Sequence, residues 1–433
     1  MRDAAILEIE SVGKIDGLVG RILGGEVLVL RGGLKRLGLY RLLVDATIVG
    51  IRQAVGEDVA RKVEEAGFDR IHEWVRPEDI PAVTDAAYKE ITAIAHVVLG
   101  RLVPDLFPDG GPYYFERSPN VRFHIPFDLA ATHRREFDKF ARKMGDGKIT
   151  AHGPHRDPWV DCPANAINVW IAVGPVQRGN GLTIFKDDYR AKFEFEDGYV
   201  ADGTPLHRPL NFDLQPGDAV LFHSNHLHGS ELNRTNRTRY VVSYRITFGK
   251  PYYPHGHYHH YLHAGLASGP FRWLSAIPQN LQWSFLVYQV ARLRHKITGK
   301  GRMTGRDASA EPVASKRTPT IVNNSLAVAD LPVGAILPVS RTVCVARLDN
   351  EHFVALGRRC PHMGGDLAGG WIDDGKLVCP LHSLPFDPDT GASPCHSLPP
   401  LRRYACSVRD GRVHIDLERD TERDEIVARN PES

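Results

Sequence analysis

Four residues near the C-terminus have the types and spacing of metal ligands. Cys360-x-His362 is followed, after sixteen intervening residues, by Cys379-x-x-His382. Each pair offers one thiolate and one imidazole. A zinc ribbon would use Cys-x-x-Cys pairs, and a zinc finger would set its histidines on a helix. The mixed pairs instead suit a [2Fe–2S] cluster with two cysteines on one iron and two histidines on the other. Structural zinc is the alternative. Pro361, Gly364, Gly365 and Pro380 suit tight loops that turn backbone N–H groups toward sulfur. Such a cluster moves single electrons and does not itself act on substrate.

A second set lies in the middle of the chain. The stretch HGPHRDPWVD (152–161) offers His155-x-Asp157, and the stretch 216–246 offers His223, His226 and His228. On an extended strand, residues i and i+2 point to the same face. One distant histidine would then complete the two-histidine, one-carboxylate triad of non-haem Fe(II) oxygenases, whose open positions accept O2 and an organic ligand together. Alone the tripeptide is a weak signal, because an isolated histidine is more often a core or surface residue. His226 stands one strand period before His228 and would share its face, so spacing leaves both open.

From about residue 320 to 418 the sequence resembles the Rieske domain family. The resemblance rests on FVALGRRCPH, LVCPLHSLPFDPDTG and YACSVRDGRVHIDL. It is similar to the ferredoxin or ring-hydroxylase branch rather than the respiratory branch. Gly365 and Leu381 stand where the respiratory type carries a disulfide, and Leu384 and Phe386 stand where it carries hydroxyls. The resemblance implies that Cys360, His362, Cys379 and His382 hold a [2Fe–2S] cluster. Fewer hydrogen bonds to sulfur imply a potential near the low end of the Rieske range, about −150 mV. It also implies a separate flavin reductase or ferredoxin as electron donor.

Residues 115 to 250 resemble the phytanoyl-CoA dioxygenase family of Fe(II)/2-oxoglutarate oxygenases. The motifs appear in order: His155-Arg156-Asp157, Asn168-Val169-Trp170, Asn180-Gly181, Gly217-Asp218, His228-Gly229-Ser230 and Arg239. The resemblance implies that His155, Asp157 and His228 are the catalytic iron ligands. His228 is preferred to His226 because it keeps the His-x-Ser pattern and the spacing to Arg239. Arg239 matches the anchor for the distal carboxylate of 2-oxoglutarate, a bidentate role suited to guanidinium, with Ser230 and Trp170 in support. The implied cofactors are Fe(II), 2-oxoglutarate and O2. The implied activity is hydroxylation or related C–H oxidation of a small organic substrate, with wording closest to a subgroup found with sugar-like natural products. Two other readings stand beside it. One is a 2-oxoglutarate-independent Rieske-type oxygenase driven by NAD(P)H through a separate reductase. The other is a non-catalytic electron carrier or redox sensor.

These residues need elements to position them. The 433 residues, 42% hydrophobic and 24% charged, are enough for two or three domains of an ordinary globular protein. A net charge of +2 gives no footprint for nucleic acid. No apolar run reaches the ~20 residues of a membrane helix, and MRDAAILEIE has no secretory pattern, so a cytoplasmic location is expected. Six cysteines are too few for a disulfide scaffold, and Cys162, Cys344, Cys395 and Cys406 read as reduced thiols. Residues 1 to about 110 read mostly helical, as in 82–103, where apolar residues recur at 3–4 spacing. From about 113, INVWIAVG, AVLFHS and YVVSYRITF have antiparallel β texture.

The expected fold is mainly β with helical flanks: a jelly-roll double-stranded β-helix plus a small all-β Rieske domain. The expected division is an oxygenase domain over 1–298, a linker over 299–319, the Rieske domain over 320–418 and a charged tail over 419–433. The His- and Tyr-dense stretch 255–263 reads as a solvated loop, with a second metal site as the alternative. Residues 271–297 read as a helix packed on the barrel. Residues 69–80 are a candidate pocket lining. The glycine-rich stretch 12–34 lacks the strand-GxGxxG-helix frame of a dinucleotide site. The expected partners are a small-molecule substrate, the electron donor and further copies of the chain in a homo-oligomer.

Overall fold

The computed structural model describes residues 6–9, 15–133, 151–160, 162–253, 261–267, 305–306, 321 and 324–420. The proposed helix over 271–297, most of the linker, most of 255–263 and nearly all of the tail lie outside them. Among the described residues no helix is long and apolar enough to cross a membrane. All six cysteines are free thiols.

The chain groups into two units, the first comprising residues 1–189, 195–199 and 210–304. Its centre is the strand Ala166–Ala172, whose seven residues are all buried. Alternation splits them between two cores. Ile167, Val169 and Ile171 face one core, with Tyr240, Val242 and Tyr244 of the strand Arg239–Phe248. Trp170 and Ala172 face the other, with Val220, Phe222 and Val241. The continuous apolar run INVWIAV is therefore a strand covered on both faces, not a half-exposed one.

Helices cover the first face. Leu39–Val55 and Ile80–Leu106 pack against the sheet through residues such as Leu43, Ile51, Val83 and Ile91. Burying each such side chain is worth roughly 1.5–3 kcal/mol. The helices meet at Gly50, where a Cβ would lie 2.6 Å from the Ala87 backbone nitrogen. The Thr47 hydroxyl bonds the Tyr240 hydroxyl at 2.6 Å, tying helix to strand.

The second face belongs to a sandwich. The large sheet has eight strands and runs Ile6–Ile9, Val27–Leu30, Ala219–His223, Ala166–Ala172, Arg239–Phe248, Tyr113–Glu116 and Tyr261–His263, with Asn120–His124 also on Arg239–Phe248. A three-stranded sheet of His228–Ser230, Leu182–Ile184 and Leu210–Asn211 shares its inner core through Leu182, Ile184, Phe212 and Leu214. This is the jelly-roll expected. The expectation that the first 110 residues are mostly helical needs correction at their start. Ile6–Ile9 and Val27–Leu30 extend the large sheet. Asp218 holds that extension by accepting from the Gly32 amide at 2.6 Å and from Arg31 at 3.1 Å. Four consecutive β-branched or leucine residues, VLVL, are buried on both faces, so they show no alternation to read.

The second unit comprises residues 190–194, 200–209 and 305–433. Its base is a six-stranded antiparallel sheet in the order Ser325–Ala327, Arg412–Asp420, Arg403–Arg409, Phe353–Gly357, Val343–Arg347 and Ile336–Pro338. A three-stranded sheet of Trp371–Asp373, Lys376–Val378 and Pro385–Phe386 carries its second metal-ligand loop. The segment 200–209 is built into this unit. Asp202 accepts from the Asp366 amide at 3.0 Å, the Leu206 amide donates to Gly369 at 3.1 Å, and Arg208 pairs with Asp373 at 2.7 Å.

Candidate metal centres

In the first unit, His155, Asp157 and His228 offer ligand atoms all within 4.8 Å of one another, and all three side chains are buried. They come from three local structures. His228 opens the strand His228–Ser230. His155 pairs with it through two backbone hydrogen bonds of 2.9 and 3.0 Å. Asp157 does not continue that pairing. It starts the 3-10 turn Asp157–Val160, because Pro158 has no amide to donate to a ladder. The strand spacing assumed for His155-x-Asp157 is therefore replaced by a bridge followed by a turn.

Each histidine is held in one tautomer. Nδ1 of His155 donates to the Gly153 carbonyl at 2.9 Å, and Nδ1 of His228 donates to the His226 carbonyl at 2.9 Å. A carbonyl can only accept, so Nε2 is left as the lone-pair donor of each ring. Burial, then the neighbouring His228, pushes His155 down to about 3. Burial also lowers His228. Both imidazoles are thus neutral and able to bind a cation. Burial would raise Asp157, but Arg245 and then His228 outweigh it and hold the carboxyl below its usual range.

Asp157 is gripped at both oxygens. Oδ1 accepts from Arg245 Nη2 at 2.6 Å, and Oδ2 accepts from Asn168 Nδ2 at 2.6 Å. Arg245 and Asn168 are direct partners across adjacent strands. The other side of Arg245 donates to Glu116 at 2.9 Å.

The other candidate histidines stand elsewhere. His226 precedes the strand, and its Nε2 donates to the Gly25 carbonyl at 3.0 Å. His223 bonds the Tyr189 hydroxyl at 2.7 Å and the Ala164 carbonyl at 2.7 Å. Residues 69–80 lie against the segment before Arg239: His72 bonds the Thr238 hydroxyl at 2.8 Å, and Arg237 pairs with Asp69 at 3.0 Å.

Arg239 is 1% exposed, and among the described residues no carboxylate pairs with it. Its guanidinium donates to the Gly181 carbonyl at 3.0 Å and to the His124 ring at 2.8 Å, lies 3.5 Å from the Ser230 hydroxyl and sits 5.8 Å over Trp170. Nε has no partner. Burial, then Arg122, pushes it down to about 9. A buried cation without a direct ion-pair partner is costly, and a dianionic ligand such as 2-oxoglutarate would relieve that cost. Glu231 braces the same turn by accepting from the Gly179 and Gly181 amides at 2.7 and 3.1 Å.

In the second unit the four candidate ligands, Cys360, His362, Cys379 and His382, gather from two loops. The first follows the strand Phe353–Gly357 and closes with the Gly364 amide donating to Cys360 at 2.8 Å and the Cys360 amide donating to Gly365 at 2.9 Å. The second follows Lys376–Val378 and closes with the Cys379 amide donating to Leu384 at 2.9 Å. The two thiols adjoin each other. The rings of His362 and His382 meet edge-on at 4.8 Å. The Cys379 thiol, with the His362 and Met363 amides, holds Cys360 below the ordinary thiol range.

Sulfur with sulfur and imidazole with imidazole is the pairing that a two-iron cluster with unlike irons requires. Gly365 leaves room for it: a Cβ there would lie 3.0 Å from Cys379 Sγ and 2.7 Å from Leu381. Arg358 pairs with Asp366 and staples the first loop.

Sequence reasoning missed Arg245, Glu116, His124 and Glu231, and left Asn168 without a role. One signal was available. An arginine within the apolar run YVVSYRITF must find a counter-charge if that strand is buried.

Comparison with known proteins finds two families in the chain. The description "Rieske [2Fe-2S] domain" matches residues 324–407, and "Phytanoyl-CoA dioxygenase (PhyH)" matches residues 49–241. The anthranilate 1,2-dioxygenase ferredoxin subunit of Burkholderia cepacia is 33% identical over 78 residues, which are 18% of this chain and 71% of that protein. The ferredoxin component of the naphthalene 1,2-dioxygenase system of Pseudomonas aeruginosa is 26% identical over 98 residues, 22% of this chain and 93% of that protein. Among solved structures, the non-heme alpha ketoglutarate dependent carbocyclase SnoK from nogalamycin biosynthesis aligns over 55% of this chain and 85% of its own, at 13% identity and a TM-score of 0.30.

Proposed function

The chain belongs to the Rieske [2Fe-2S] family and joins to it a phytanoyl-CoA dioxygenase (PhyH) domain, and from that premise we propose that it is a 2-oxoglutarate-dependent oxygenase whose Rieske centre keeps the mononuclear iron reduced. Its cofactors are Fe(II) with 2-oxoglutarate and O2 for the PhyH domain and a [2Fe–2S] cluster for the Rieske domain. It is a non-haem iron oxygenase with a Rieske centre.

Within the proposal, the bound Fe(II) supplies the chemistry in which O2 and 2-oxoglutarate become succinate and CO2 while one oxygen atom oxidises a substrate C–H bond. His155, Asp157 and His228 would hold the ion, with open positions for O2 and an organic ligand. Arg239 binds the distal carboxylate, with Ser230 and Trp170 orienting the guanidinium. The buried walls exclude water. Cys360, Cys379, His362 and His382 would hold the cluster, the thiolates on one iron and the imidazoles on the other. The substrate is a small organic molecule, and the cluster's own donor is a separate flavin reductase or ferredoxin. The linker is assigned to residues 299–319, within which Gly305–Arg306 forms a short strand.

The single observation that carries this reading is Arg239, a buried guanidinium without a carboxylate partner among the described residues, on the same face of its strand as Arg245. A Rieske-driven oxygenase has no use for a dicarboxylate anchor. The test is succinate formation by the iron-loaded full chain, with and without NADH plus a reductase. Succinate in both arms supports the proposal. O2 consumption that requires NADH and yields no succinate refutes it in favour of the Rieske-driven alternative.

A further inference from the structure

We propose that Arg245 is a positioning residue that raises the reduction potential of the mononuclear iron, so that a low-potential Rieske donor can return a ferric ion to the ferrous state. This rests on the reading of His155, Asp157 and His228 as iron ligands.

The argument is geometric. Arg245 lies opposite Asn168, and both reach Asp157, one at each oxygen and both at 2.6 Å. The carboxylate therefore has each oxygen partly engaged before any cation arrives. Its orientation is fixed, and its electron density is shared with a positive charge. Arg245 and Arg239 stand on the same face of the strand Arg239–Phe248, six residues apart, which is about 20 Å along a strand. The two guanidinia thus serve different ends of the site.

A cation beside a liganding carboxylate opposes the further positive charge that Fe(II) gains when it loses an electron. The effect is large because the surroundings are buried and weakly screening. The Arg245 side chain is 12% exposed, Glu116 is 4% and Asp157 is 0% exposed. Glu116, on the far side of the same guanidinium at 2.9 Å, pulls in the opposite sense. Arg245 and Glu116 thus form a matched pair of opposing influences on one ligand. The electron balance is simple: one electron leaves the reduced cluster and one arrives at the ferric ion, with the external donor replacing it.

The test is a redox titration of the mononuclear iron in the full-length, iron-loaded chain. It is followed by the high-spin ferric EPR signal, which is distinct from that of the reduced cluster. Arg245→Gln is expected to change the Fe(II)/Fe(III) ratio at fixed potential by about tenfold toward ferric, a shift of about 59 mV for one electron. Arg245→Lys is expected to retain most of the wild-type midpoint. Glu116→Gln is expected to shift the midpoint the other way. A purely structural Arg245 would change melting temperature and leave the midpoint alone. Iron bound at the wild-type level with unchanged midpoints in both charge-removing variants overturns the inference. If Arg245→Gln does not fold, Glu116→Gln decides alone. If the wild-type chain binds no mononuclear iron, the parent reading fails and takes this one with it.

Discussion

The two metal centres are built in opposite ways. The four proposed cluster ligands lie within 23 consecutive residues, Cys360 to His382, on two loops that close through their own backbone bonds. The three proposed ligands of the mononuclear site span 155 to 228. They meet only because a bridge, a turn and a separate short sheet converge. The cluster site depends on local loop geometry, whereas the iron site depends on the whole sandwich. Its supporting residues, Arg245, Asn168 and Glu116, come from three more strands or strand positions. A local site can be moved between proteins as a module. A distributed site carries its scaffold with it, and its tuning is written in residues far from any ligand motif.

The largest effects should separate the centres completely. Asp157→Ala should reduce succinate formation to background while leaving the visible spectrum of the cluster intact. Cys379→Ala should abolish that spectrum and leave the first turnovers of succinate formation intact, with activity then decaying unless ascorbate is present. Loss of both properties in either variant would break the comparison.

The next effect is on co-substrate binding. Arg239→Gln removes a charge-assisted interaction worth about 1.5–3 kcal/mol, so KM for 2-oxoglutarate should rise about 10- to 150-fold with the cluster unaffected. An unchanged KM would remove Arg239 from the site.

A smaller effect concerns acid. His155 is held down to about 3, and burial lowers His226 to about 3 as well. Unfolded, each titrates near 6.5. Between those values the unfolded chain binds more protons, so stability is full above about pH 6.5 and falls as pH drops toward 3. Asp157, held below its usual range by Arg245 and His228 against the effect of burial, adds a further loss at still lower pH. Iron-free protein should melt at a lower temperature near pH 5 than near pH 7.5. Equal melting temperatures would contradict the buried neutral histidines.

The smallest effect is on the cluster itself. Leu384 and Phe386 are fully buried and offer no hydroxyl to sulfur, so its midpoint should lie near the low end of the Rieske range, about −150 mV. A value well above zero would mean that other donors reach the sulfurs.

Legibility followed the same division. The Rieske domain could be read directly, because Cys-x-His and Cys-x-x-His are spaced for two tight loops, and the structure brings those loops together. The long helix Ile80–Leu106 was legible from its apolar spacing, as was the run of strands from Ala166 to Phe248. The strands Ile6–Ile9 and Val27–Leu30 were not: Val27–Leu30 is buried throughout and shows no alternation, and Ile6–Ile9 alternates over only four residues, too short a run to read as a strand. At the iron site, the motif residues could be named but their geometry could not. Pro158 turned the chain where strand spacing was assumed. Glu116 was invisible because its role arises from register across strands, which no local pattern encodes, and Arg245 gave only the signal of a charge inside an apolar run.

The most direct test of the central claim counts electrons. The full chain would be reduced at its cluster, freed of excess reductant and mixed with 2-oxoglutarate, O2 and substrate. Succinate formed would then be compared with electrons withdrawn from the cluster. Many succinates per cluster electron are predicted, because 2-oxoglutarate supplies the working electrons and the cluster only restores iron that has become ferric. One cluster electron or more consumed for every succinate would contradict the account and place the Rieske centre inside the catalytic cycle.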